Sequence, residues 1–324
     1  MGGIGLSFSL FQRIRRHAAI SSGNFEVLFK DISIAPLPVA TVRLIEELDK
    51  PEASLERISG LIGSMPAISA QVLKMVNSSL FSLRSPVLSI QHAVTLLGLD
   101  HIRAVALSFL AVKAVPRPNE RLFDHQAFWT DSLLRALVAR GLAKRTCPEQ
   151  CDDAFTAMLL ADVALPVLLG SWSEYYLPVI EQWRHGSVRL SEIEKKQFGW
   201  THAQAGAWIL QYWKFPEQLI CYVGIHNGDP SLIEKLQLEN TIALPLMTAS
   251  LLPSCLHPKG GRADAFLRLA VDSFELDFEE LSLLLDEVEE GFLDICDLMA
   301  LCHMGELPTL GEVRAAMSET LLSE

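Results

Sequence analysis

Apolar residues recur at spacings of three and four along almost the whole chain, and no stretch alternates with period two between turn residues. A chain so patterned buries stripes of helices and has little from which to build a sheet. Val42, Ile45 and Leu48 form one such stripe over Ala40–Asp49, with Glu46, Glu47 and Lys50 facing away. Ser54 is placed to cap a helix presenting Leu55, Ile58, Leu61 and Ile62, and Pro66 sits where a first-turn proline belongs, ahead of Ile68, Val72, Leu73 and Val76. Ser89 begins a helix with Ile90, Val94 and Leu97 inward and Gly98 near its stop. Asp100 is expected to cap the next, which carries Ile102, Val105, Phe109 and Leu110 and ends before Pro116.

The Pro- and Asn-bearing segment Val115–Asp124 reads as a linker. Beyond it the spacing predicts helices over Ala127–Arg145, Asp152–Leu169, Ser173–Trp183, Ser191–Gln197, His202–Trp213 and Pro216–His226. Further helices are expected over Leu232–Leu251, broken near Pro245, then Ala263–Val271 and Phe278–Cys302, the last with an acidic face. The expected fold is all-α. It comprises an arm (1–30), a helical bundle (31–115), a larger helical lobe (120–250) and a helical extension (251–324).

Charge narrows the partners. With 27 Lys+Arg against 39 Asp+Glu the net charge is −12, so duplex nucleic acid is not expected as a main partner. The longest run free of charged side chains, Asn240–Pro258, contains Pro245 and Pro253 and is not expected to span a bilayer. The opening MGGIGLSFSL is followed, not preceded, by Arg13, Arg15 and Arg16, the wrong order for a secretory signal, which makes the cytoplasm the expected compartment. Cys147 and Cys151 lack a matching second pair, so the six cysteines are read as small buried hydrophobes. P-loop, dinucleotide-binding, nucleophile-elbow and zinc-protease motifs are all absent.

Three segments are more distinctive: IAPLPV (Ile34–Val39) with SAQVLKMVNSSLFS (Ser69–Ser82), SIQHAVTLLGLDHIRAVAL (Ser89–Leu107) and HAQAGAWILQYWKFPEQLICYVGIHN (His202–Asn227). Together these resemble the HDOD family, bacterial signalling output domains related to the HD metal-dependent phosphohydrolases. The resemblance runs from about Asp31 to Asn227 and implies that the larger lobe is HD-like. Catalysis in the HD superfamily needs a histidine, an adjacent His-Asp pair and further His or Asp ligands around divalent metal. Here Asp131 stands at the first histidine, the pair has become Ala161 and Asp162, His202 and His226 match later histidines, and Asn227 replaces the second member of an HH pair.

The resemblance therefore implies a degenerate site and a stand-alone signalling or regulatory protein, a pseudoenzyme without cofactor, acting through protein partners in bacterial control of motility, biofilm or stress output. Two alternatives stay open. Asp131, Asp162, His202 and His226 are donors suited to Mg²⁺ or Mn²⁺ in a phosphohydrolase of nucleotides or cyclic dinucleotides, or the cleft holds a nucleotide without turnover. Other features have bland readings beside functional ones. Asn77-Ser78-Ser79 with Phe81 ends a helix or forms a partner surface, the former favoured. Trp208, Tyr212 and Trp213 are core residues or a base platform, again the former favoured. Phe11–His17 is a solvated arm or binds an acidic partner, anionic lipid or a regulatory segment, the former favoured.

Overall fold

The computed structural model describes residues 24–30, 37–50, 52–119, 123–257, 263–297, 301 and 307–323. The cluster Phe11–His17, the residues Ile34–Pro36 and Cys302 lie outside them. Every regular element among the described residues is helical, and the one β-like feature is an isolated bridge between Ser254 and His257.

Six helices come first: α1 (Phe25–Lys30), α2 (Val39–Leu48), α3 (Leu55–Gly63), α4 (Pro66–Val76), α5 (Ile90–Leu97) and α6 (Leu99–Ala114). Helices α2 to α6 pack on one another around Leu44, Ile45, Ile58, Ile62, Val72 and Val76. Ser54 and Ser89 are the caps the sequence predicts, their hydroxyls accepting from the N–H groups of Arg57 (3.3 Å) and His92 (3.1 Å). Asp100 is not a cap. Gly98, at φ +88°, ends α5 and turns the chain straight into α6, which leaves Asp100 inside the first turn. There its charge still faces the positive end of the helix dipole.

Asn77 resolves the NSSLF segment in favour of a helix end. Its amide nitrogen donates to the carbonyls of Leu73 (2.7 Å) and Val87 (2.8 Å), and its oxygen accepts from the Val87 N–H (2.7 Å). One side chain thus closes α4 and pins the strandless return to α5. Phe81 lies beneath the Arg140 guanidinium (5.4 Å) and edge-on to His101.

The second half runs α7 (His125–Thr146), α8 (Cys151–Leu159), α9 (Ala164–His185), α10 (Leu190–Phe198), α11 (His202–Tyr212), α12 (Glu217–Ile225), α13 (Ser231–Leu236), α14 (Ala243–Ala249), α15 (Ala263–Phe274), α16 (Phe278–Cys296) and α17 (Pro308–Ser323). Helix α7, capped by Asp124 on the Ala127 N–H (2.9 Å), is the axis: α8, α14, α15 and α16 all pack against it. Helix α8 also carries α6, so the first group of helices joins the second through α6 and α8. The apolar core is contiguous from Leu37 to Met317. Trp213 lies in this core, whereas Trp208 and Tyr212 stack on each other with Tyr212 half exposed.

Two expected helices break differently, for a proline's reasons. The predicted Asp152–Leu169 helix divides at Leu160–Val163. Pro166 has no N–H for the Asp162 carbonyl, which accepts from Leu165 (2.9 Å) instead, and Ala161 and Val163 bond three residues back. The resulting corner places Asp162 between two helices. Helix α9 then continues through the predicted gap before Ser173 with a kink at Trp172. Pro245 does not break its helix but occupies the first turn of α14, where no N–H is needed; the break comes earlier, at left-handed Gln237.

The acidic face of α16 is answered in part: Arg314 of α17 pairs with Asp286 (2.8 Å) and Glu289 (3.0 Å). Among the described residues one helical stretch, Pro148–His185, is long and apolar enough to cross a membrane, but 89% of its apolar window is buried in the fold.

Candidate functional site

The corner at Ala161–Asp162, the start of α11 and the end of α12 meet beside α7. Thr201 and Gln204 form a capping box that starts α11 at His202. His202 therefore has a first-turn N–H with no partner in its own helix, and this donates to Glu194 Oε2 (2.9 Å) on α10. The His202 ring meets the same oxygen through Nδ1 (2.7 Å). Glu194 is fully buried, and its other oxygen accepts from the Tyr176 hydroxyl of α9. On the far side of the ring, His202 Nε2 lies 3.2 Å from Asp162 Oδ1 and 3.3 Å from the Asn227 amide nitrogen.

His226 completes the group. Its Nδ1–H donates to the Val223 carbonyl (2.8 Å), and its Nε2 lies 3.3 Å from the same Asp162 oxygen. The second Asp162 oxygen is taken by Arg135 Nη1 of α7 at 2.9 Å. Asp162, His202 and His226 are all buried, with donor atoms within 4.8 Å of one another.

The protonation pattern follows from burial set against partners. Burial alone would lower the His202 pKa, but the carboxylates of Glu194 and Asp162 outweigh it and raise it to about 10, so the ring is a cation held between two acids. Burial would raise the Asp162 carboxyl; hydrogen bonds from the two histidines and the Arg135 charge prevail and hold it well below the usual range. Tyr176 is pushed well above its ordinary value by burial and by Glu194.

Asp131 stands apart from the other three. Its oxygens accept from Ser254 Oγ (2.5 Å) and the N–H groups of Cys255 (2.9 Å) and Leu256 (3.4 Å), so it braces the 254–257 turn. Burial pushes its carboxyl up, against the Arg135 charge and those hydrogen bonds. No motif or spacing in the sequence points directly to Arg135, Glu194 or Arg189. Arg135 follows Asp131 by four on α7, a spacing that shares one helix face. Glu194 sits in SEIEKK, which reads as an ordinary solvated helix.

A cavity of about 70 Å³ opens over the cluster, walled by Arg135, Asp162, Arg189, His202, His226 and Asn227 among others. It shares Arg189, Ser191 and Asn227 with an outer groove of about 770 Å³. A divalent ion here would meet one carboxylate oxygen and two imidazoles whose Nδ1 atoms are anchored, an arrangement that suits ligand histidines. Two ions find no donor set: Ala161 offers nothing, Asp131 is committed to a turn, and Arg135 already holds Asp162. Among the described residues the donors therefore suffice for one ion and not for a two-metal HD centre.

The chain matches the HDOD domain model over residues 34–228. It is similar in structure to a candidate phosphohydrolase from Shewanella amazonensis, with 20% identity, TM-score 0.66 and coverage of 88% of this chain and 99% of that one. An HDOD domain protein of unknown function from Geobacter sulfurreducens matches at 17% identity and TM-score 0.57, covering 96% of each chain. A candidate signal transduction protein from Marinobacter aquaeolei matches at 20% identity and TM-score 0.61, covering 92% of this chain and 68% of that one. At these identities the likeness carries the fold. An uncharacterized protein of Treponema pallidum is 24% identical over 217 residues, and the match spans 42% of that relative's length.

Proposed function

The chain belongs to the HDOD domain family, and on that footing we propose that it is a bacterial regulatory protein, working in the cytoplasm through protein contacts and without phosphohydrolase turnover. The observation that carries this reading is the Arg135 guanidinium, 2.9 Å from the carboxylate that would have to serve as the central metal ligand. A fixed cation at that carboxylate does electrostatically what an ion would do, yet it has no water to activate. Ala161 and the turn-bound Asp131 support the same conclusion, because each removes a ligand the chemistry requires. The cluster then serves as a buried polar core between α7, α10, α11 and α12. Asp162, His202 and Glu194 in it are each partnered, and a buried group left unpaired costs about 1–3 kcal/mol.

One observation favours the competing reading, hydrolysis with a single Mn²⁺ or Mg²⁺ ion: both imidazoles turn Nε2 toward Asp162. Elemental analysis of protein purified without chelator, beside an Asp162→Ala sample, separates the two. Substoichiometric metal in both samples is expected, with no release of phosphate from mono- or diesters in Mn²⁺ or Mg²⁺. Metal near one equivalent in the parent, lost together with a measurable hydrolysis in the variant, would overturn the proposal.

A further inference from the structure

Two guanidiniums, those of Arg135 and Arg189, line the cavity over the cluster. Arg135 gives Nη1 to Asp162 and Nη2 to the Leu252 carbonyl (3.4 Å), while its Nε–H is buried without a partner. Arg189 donates to Ser250 Oγ (3.3 Å) and makes no ion pair with a carboxylate among the described residues. The other acids nearby are accounted for: Glu194 is bound by His202 and Tyr176, and Asp131 by the 254–256 turn. Asp131 and Asp162 both line the cavity, but among the described residues only Asp162 lies within ion-pair distance of either guanidinium. Guanidinium groups match tetrahedral oxyanions with paired N–H bonds, and they keep their charge when buried.

The charge continues outward. Arg189 lines both the inner cavity and the outer groove, where Lys195 and Lys196 stand exposed and without ion pairs among the described residues. Glu192 and Asp229 lie in the same groove, and Asp229 is bound to the Ser231 N–H (2.8 Å). In a chain of net charge −12, the three cations at this opening still outnumber its two acids. The sizes fit a two-part ligand. The inner space of about 70 Å³ admits a group no larger than a phosphoryl head, and the groove of about 770 Å³ lies in the range of small-molecule sites.

We propose that the site binds a small phosphomonoester without metal, its phosphoryl group held by Arg135 and Arg189 and its body in the groove lined by Lys195 and Lys196. The guanidiniums occupy the role that divalent ions hold in a phosphohydrolase, and the site retains the ester instead of cleaving it. This rests on the reading of the site as one without catalytic metal.

The test is thermal shift and calorimetry in EDTA, with inorganic phosphate, AMP and adenosine as probes. Phosphate at about 10 mM is expected to raise the melting temperature, AMP to bind about tenfold tighter than phosphate, and adenosine to have no effect. Losing one charge-assisted contact in Arg189→Gln should weaken phosphate by about 10- to 100-fold, while Arg189→Lys, which keeps the charge, weakens it less. The Lys195→Gln/Lys196→Gln pair should reduce the AMP advantage and leave phosphate binding unchanged. The proposal is overturned if phosphate is inert toward the wild type, or if both Arg189 variants, shown to be folded, bind it as the wild type does. AMP binding no tighter than phosphate would remove the groove from the proposal. Binding that appears only with Mn²⁺ would overturn this proposal and the metal-free reading together, whereas inert phosphate in metal-free protein would overturn this proposal alone.

Discussion

Replacing Glu194 by Gln tests whether His202 is a cation fixed between two acids. The carboxylate accepts from the Tyr176 hydroxyl, the His202 backbone N–H and the His202 ring. Gln keeps the shape and one oxygen but loses the charge. Hydrogen bonds to charged groups contribute about 1.5–3 kcal/mol each, and an isostere that retains neutral versions forfeits roughly half, or about 2–4 kcal/mol across the three. A second route gives a similar figure. The rise of His202 from 6.5 to about 10 corresponds to about 5 kcal/mol. Glu194 and Asp162 share that amount. For 324 residues the melting entropy is about 0.7 kcal/mol per degree, so the midpoint should fall by about 3–6 °C at neutral pH.

The pH dependence fixes the cause. The folded pKa of His202 lies above its unfolded value near 6.5, so the stabilisation is complete below pH about 6.5 and is lost as pH rises through about 10. The gap between wild type and Glu194→Gln should therefore be widest near pH 6 and narrow toward pH 10. Calorimetry in EDTA across that range is the assay. A midpoint change under about 1 °C, or a gap that stays constant with pH, would refute the cationic His202 and the reasoning built on it.

Two further substitutions probe the frame around the site. Asp131→Ala leaves Ser254 Oγ and the Cys255 N–H without an acceptor and should cost about 2–4 kcal/mol, read as a lowered melting midpoint; its metal content should match the parent's. Asn77→Ala removes two hydrogen bonds to Val87 and one to the Leu73 carbonyl and should cost about 2–3 kcal/mol; Asn77→Asp keeps only the bond from the Val87 N–H, turns a carboxylate oxygen toward the two carbonyls and should not recover that loss.

The helical fold was legible in the sequence because period and caps are local. The stripes of α2 to α6, the Ser54 and Ser89 caps and the start of α11 at His202 each depend on residues within a turn or two of one another. Proline positions were legible as disruptions but not as outcomes. Whether Pro166 ends a helix or Pro245 begins one depends on which carbonyl must find another donor, and neighbouring helices settle that. The motif comparison nominated Asp131, Asp162, His202 and His226, and sequence order could not separate the first from the rest. Folding does so, because Asp131 reaches a turn 123 residues away while the other three converge.

What the sequence could not disclose is the charge that completes the site. Arg135 and Glu194 lie on helices whose own patterns explain them as ordinary polar positions. Their meaning arises from contacts across 27 residues to Asp162 and eight to His202. Local periodicity determines which face of a helix is buried. Only tertiary packing determines which buried polar group meets which, because the desolvation that makes those meetings obligatory exists only once the helices have closed around them.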